Sequence, residues 1–249
     1  MIGLARSHSS SMQGKERLPS IVKRNRIFRH RRTAFRKRVN SFFLYMSGLS
    51  YRDIAYNISY VDVSYEALRK FIKRIKKCII VIKPEKKHRD TVAVDETKIK
   101  VIDIQLFVWN AIDVRTKELL AYRVSRTRSI IDALILLRAM LLCGDNKPLV
   151  IDRGPWYLYA LKRLGLEFKH VTFGKRNAIE RFYRTLKKRT KLFCNNINAK
   201  RHGIKALESF IALFCFWYNF CMYHQSLGGE PANVSLCSAL IYFYFGCLK

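Results

Sequence analysis

The hydrophobic pattern changes period along the chain. SFFLYMSGLSYRDIAYNI, from Ser41 to Ile58, reads as an apolar helix, a turn at Ser47-Gly48-Leu49 and a second helix. Ser50 and Asp53 stand at capping-box spacing for that second helix. After the turn Ser59-Tyr60-Val61-Asp62 a third helix is expected to start near Ser64. Its Leu68, Phe71, Ile72 and Ile75 recur at i, i+3, i+4 and i+7, which marks one buried face. Arg69, Lys70, Lys73, Arg74, Lys76 and Lys77 fill the other face. A short helix, a tight turn and a helix with an apolar stripe backed by cations is the layout of a helix-turn-helix. Tyr65, Glu66, Arg69 and Lys70 then face a major groove from the start of the reading helix. A small helical bundle with an ordinary basic surface is the alternative.

Lys83-Pro84-Glu85-Lys86-Lys87-His88-Arg89 is a charged segment with a proline and reads as a linker. Beyond it the pattern becomes mixed. TVAVD, KIKVIDI, QLFVWNAID and KELLAYRVS read as strands rich in Val, Ile and aromatics. SIIDALILLRAML reads as a helix capped by Ser129, PLVID as a short buried strand, PWYLYALKRLG as a helix and EFKHVTF as a strand. NAIERFYRTLKKRTK follows as an amphipathic helix burying Ile179, Phe182, Tyr183 and Leu186, and a last helix runs from about Ala206 to Tyr223. A leading strand meander followed by alternating helices and strands is the order of an RNase H-like α/β domain. The expected division is a basic arm at 1–40, a helix-turn-helix at 41–82, a linker at 83–90, the α/β domain at 91–232 and an apolar tail at 233–249.

Charge narrows the class. The 249 residues carry 48 Lys+Arg against 18 Asp+Glu, a formal +30, so the expected partner is a polyanion, nucleic acid first. Eleven of the 24 residues from Lys15 to Arg38 are basic, which suggests an arm that lies on phosphates. The uncharged apolar run Ser209 to Tyr223 is 15 residues, short of the ~20 a membrane span needs. No signal-peptide pattern opens the sequence, and the expected location is the cytoplasm, at the nucleoid. Seven cysteines with no C-x-x-C pair fit free thiols better than a disulfide framework or a structural zinc site.

Carboxylates are scarce, so their placement is informative. Asp95 is read as ending the first strand of the mixed domain and Asp152 as ending PLVID. Glu180 opens the amphipathic helix as the sole acid between Glu167 and Glu208. Acids at two strand ends and a nearby helix form a hard oxygen site suited to Mg²⁺. Two such ions clamp the attacking and leaving oxygens of a phosphoryl displacement. Each acid has a plainer use: Asn177-x-x-Glu180 is capping-box spacing, and Asp95 or Asp152 could start a turn. Glu96, Asp103, Asp113 and Asp132 are competitors of the same chemistry. His170 and His224 are poorer candidates, since Mg²⁺ prefers oxygen. Lys175, Arg176, Arg181, Arg184, Lys187 and Lys188 are read as phosphate contacts.

Together VAVDETKIKV, WNAIDVRTKELLAYRVS, the block from Val150 to Phe193 and YNFCMYHQSLGGEPA resemble an insertion-sequence DDE transposase, the compact bacterial and archaeal kind with a retroviral-integrase-like core. The resemblance covers about Gly48 to Ala232. It implies that Asp95, Asp152 and Glu180 are the catalytic, metal-binding acids, holding two Mg²⁺ per site with Mn²⁺ able to substitute. It also implies cleavage at element ends, then attack of the freed 3′-OH on target DNA. The implied partner is double-stranded DNA, both ends and target, bound by a homo-oligomer. Tyr65, Arg69, Lys70, Lys73 and Arg74 are the expected end-reading surface. The 27 residues between Asp152 and Glu180 make a shorter connection than is common in the family, as one trimmed loop would give. Two rivals follow from the same residues: a DNA-binding protein whose catalytic core is dead, and an RNA-binding protein, against which no RNP1 motif is present.

Overall fold

A computed structural model describes residues 35–79, 86–101, 104–144, 149–151, 154–170, 177–192 and 204–232. The chain divides into two compact units, 1–82 with 212–249, and 83–211.

In the first unit, α1 (Phe35–Met46), α2 (Tyr51–Asn57) and α3 (Tyr65–Ile79) follow one another. The first helix begins inside the segment read as a basic arm, because Val39 and Phe42 already supply its buried face. The Ser50 hydroxyl accepts the Asp53 N–H at 3.1 Å, and Asp53 accepts the Ser50 N–H at 3.0 Å. That capping box starts α2, and its hydrogen bond holds the Asp53 carboxyl below the usual range. On α3, Leu68, Phe71, Ile72 and Ile75 are all buried, as their spacing requires. The later half of the helix Ile204–Phe220 (α7) belongs here too, with Phe216 edge-on to Phe42.

The second unit is built on a five-stranded sheet, in the order β3-β2-β1-β4-β5. β1 (Val92–Val101), β2 (Ile104–Asp113) and β3 (Leu119–Ser125) form an antiparallel meander; β4 (Leu149–Ile151) and β5 (Phe168–His170) continue the sheet in parallel with β1. TVAVD and the KIKV of KIKVIDI, read as separate strands, are one, and the final Ile104 already opens β2: β2 pairs with β1 along its whole length, from Val92↔Asp113 to Val101↔Ile104. Asp95 therefore lies inside a strand and not at its end. Among the described residues the parallel ladder to β4 reaches Val94↔Ile151, one position before it.

One face of the sheet carries Val92, Val94, Phe107, Trp109 and Ala111, packed under α4 (Ile130–Leu141) and α5 (Pro155–Leu164). α6 (Asn177–Leu192) lies against β1 and β2 and buries Ile179, Phe182, Tyr183 and Leu186. The mixed sheet flanked by helices is the expected RNase H-like arrangement. The segment read as a linker also contributes to the core. Arg89 is 1% exposed, donating to the Cys143 carbonyl at 2.5 Å and pairing with Glu118 at 3.2 Å. A guanidinium with those partners is held inside the domain despite the solvated look of its neighbours in sequence.

Candidate active site

Asp95 sits on β1 opposite Asn110 of β2, and its residue is 9% exposed. Its Oδ1 accepts the N–H of Glu96 at 2.9 Å. The Tyr183 hydroxyl, from α6, donates to the Asp95 carbonyl at 2.5 Å and lies 3.4 Å from the Val108 carbonyl. One tyrosine thus ties α6 to both central strands at the level of Asp95. Glu180 is one turn earlier on the same helix, three residues before Tyr183, and is exposed. Among the described residues it has no hydrogen-bond or ion-pair partner, although Arg181, Arg184, Lys187 and Lys188 stand exposed on the same helix. The helix already includes Asn177, and among the described residues no hydrogen bond joins the Asn177 N–H to this carboxylate.

Asp152 follows Ile151, the residue paired with Val94, and lies outside the described residues, as do Asp103, Lys175 and Arg176. The competing acids that are described have other work. Glu96 accepts the Tyr157 hydroxyl at 2.7 Å and pairs with Arg128 at 3.3 Å. Burial, and then the charge of Glu96, raises Tyr157 well above its ordinary value, so the phenol stays a donor. Asp132 accepts Arg123 at 2.7 Å and the Ser129 hydroxyl at 2.6 Å at the start of α4. Asp113 turns the chain by accepting the Arg115 and Thr116 N–H groups. His170 is exposed on β5, and His224 packs edge-on to Tyr218.

Beside Ile151, α5 opens on Gly154-Pro155-Trp156. A Cβ at Gly154 would stand 2.7 Å from the Trp156 ring, so only glycine lets the indole fold back. That ring and Phe107 flank the Arg128 guanidinium, at 5.2 and 5.0 Å. Sequence reasoning missed Tyr183 as the tie and the Tyr157–Glu96–Arg128 cluster. Their one available signal was the i, i+3 spacing of Glu180 and Tyr183.

In the helical unit Lys70, Lys73 and Arg74 are exposed. Arg69 is instead held by Glu66, through bonds of 2.8 and 2.6 Å, and Tyr65 packs edge-on to Tyr51.

The model of a DDE domain family of IS240-type transposases matches residues 89–217. The chain belongs to that family. An uncharacterized protein of Methanocaldococcus jannaschii is 38% identical over 204 residues, 80% of this chain and 92% of the relative. A 44-residue stretch is 46% identical to an uncharacterized protein of Aquifex aeolicus, covering 18% of this chain and 36% of that one. Among solved structures, the catalytic core of BIV integrase is similar at 17% identity and a TM-score of 0.46, covering 61% of this chain and 96% of that one. The HTLV-2 integrase core in complex with magnesium is similar at 15% identity and a TM-score of 0.42, covering 60% and 95%. Among the described residues no three His, Cys, Asp or Glu gather as a metal site, and no helix is long and apolar enough to cross a membrane. Membership of the DDE family makes this α/β unit a transposase domain.

Proposed function

We propose that the chain is a DNA transposase that binds the ends of its element, cleaves them in a metal-dependent step and joins the freed 3′-OH to target DNA. The observation that carries this reading, beyond family membership, is the Tyr183 bond to Asp95. It ties α6, the helix that carries Glu180 one turn before Tyr183, to the strand bearing Asp95, which supports grouping the two acids. Asp152, one residue past Ile151, completes the proposed set. Three carboxylates suit a hard divalent cation, and Glu180, which has no partner among the described residues, is a donor open to one. Two Mg²⁺ or Mn²⁺ ions, when bound, supply activation of the attacking oxygen and stabilisation of the leaving one. The chain's own part is to hold Asp95 rigidly on a central strand and Glu180 on a helix tied to it. Exposed Arg181, Arg184, Lys187 and Lys188, with Lys175 and Arg176, bind DNA phosphates along α6. Tyr65, Arg69, Lys70, Lys73 and Arg74 are assigned to end recognition by the helical unit, with Arg69 exchanging Glu66 for DNA. A homo-oligomer on double-stranded DNA is the working assembly.

Nicking of labelled end DNA tests the assignment. The unmutated chain is expected to nick in Mg²⁺ or Mn²⁺. Glu180→Gln, Asp95→Asn and Asp152→Asn are each expected to fold, bind ends and lose cleavage, without additivity, because one site is shared. Asp103→Asn is the control and cuts normally. Cleavage by Glu180→Gln at a rate comparable to the unmutated chain overturns the site, and no cleavage by the unmutated chain favours the DNA-binding rival.

A further inference from the structure

Asn110 is fully buried at the centre of β2, and among the described residues neither its amide nitrogen nor its amide oxygen has a hydrogen-bond partner. Buried amides are nearly always paired, and one left with both ends idle calls for an explanation. Its register supplies one. Asn110 stands directly opposite Asp95 on β1, with Tyr122 opposite on β3. Residues facing each other across an antiparallel pair project to the same side of the sheet, with Cβ atoms about 4.5–5.5 Å apart. The flanking Trp109 and Ala111 belong to the core under α4 and α5, so Asn110 projects to the opposite face, the face of Asp95. The same level of the sheet receives the Tyr183 hydroxyl on the Asp95 carbonyl. The backbone of Asp95 is thus fixed by a bond from the helix, and the idle amide lies beside its side chain.

We propose that Asn110 is a positioning residue for the Asp95 carboxylate, its amide donating to the carboxylate through one bridging water. A polar site offering an amide N–H₂, an amide C=O and a carboxylate has the partners a buried water needs. A carboxylate that must hold a cation is commonly oriented by such an outer partner, and loss of the partner weakens metal binding about 10–100-fold. This inference rests on Asp95 as a metal ligand.

The test separates positioning from packing. Asn110→Leu replaces an unpaired amide by an apolar group of similar size, so its metal-free melting temperature should equal or exceed that of the unmutated chain. Binding of Mn²⁺ is then read from the rise in melting temperature across a titration. The expected result is a half-saturating Mn²⁺ concentration about 10–100-fold higher in Asn110→Leu. Asn110→Ser, whose hydroxyl leaves room for water, should recover part of that loss, and it carries the test if the Leu variant does not fold. Mn²⁺ binding unchanged in the variants overturns the proposal and leaves Asp95 as a ligand. A Mn²⁺ response of the unmutated chain that Asp95→Asn does not remove overturns the ligand assignment, and the positioning role with it.

Discussion

Arg89 is the residue at which sequence and structure part most sharply. In KPEKKHRD nothing sets it apart from the solvated charges before it. Its partners, Glu118 and the Cys143 carbonyl, are 29 and 54 positions away, and Asp113 lies 3.7 Å from its Nε. A pairing between distant segments leaves no local pattern to read. The carboxylates were more legible, because acids are rare in so basic a chain. Even so, the division of labour between Glu96, fully used by Tyr157 and Arg128, and its neighbour Asp95 depends on which face of β1 each residue takes. Arg89→Met takes the guanidinium from buried Asp113 and leaves buried Glu118 with Lys87 alone, 3.1 Å away. It is expected to cost about 3–5 kcal/mol in urea denaturation, while Arg115→Met, at an exposed ion pair, should change stability by about 1 kcal/mol or less.

At the scale of elements, helices were read more faithfully than strands. Capping at Ser50 and Ser129 and the stripe on α3 are local signals, and the structure has all three. The division of β1 into two strands arose because Asp95, Glu96 and Thr97 interrupt the apolar pattern. The ladder with β2 runs through them, since cross-strand pairing and not composition sets a strand's length. On α3 the cationic face is not uniform. Burial, and then the charge of Lys73, pushes Lys76 down to about 8, below the ordinary lysine value. Between the two values the unfolded chain binds more protons than the folded one, so stability rises with pH across that window. Below about pH 8 the half-buried ammonium is a full burden; above it the burden lifts. Thermal unfolding from pH 7 to 10 should show a Lys76→Met variant more stable than the unmutated chain at pH 7, with the gap closing toward pH 10. A gap that widens with pH would contradict this placement of Lys76.

For the whole molecule, the +30 charge and the order of strands and helices pointed to a nucleic-acid enzyme of RNase H-like type, and the DDE family match agrees. The assignment of work between its parts makes a separable prediction. If the arm lies on phosphates without reading sequence, deleting residues 1–34 should flatten the salt dependence of binding equally for end and random DNA. Arg69→Ala should instead narrow the difference between the two DNAs, by roughly 1–3 kcal/mol. Equal losses from both changes would dissolve the distinction between arm and reading helix.

The central claim is that Asp95, Asp152 and Glu180 hold one metal site, and it can be mapped without DNA or turnover. Fe²⁺ in place of Mg²⁺, with ascorbate and peroxide, generates hydroxyl radicals that cut the backbone beside the bound ion. Cuts near residues 95, 152 and 180 are expected, all suppressed by excess Mg²⁺ and all lost together in Glu180→Gln. Cuts at only one of the three, or a pattern unchanged in Glu180→Gln, would contradict the shared site.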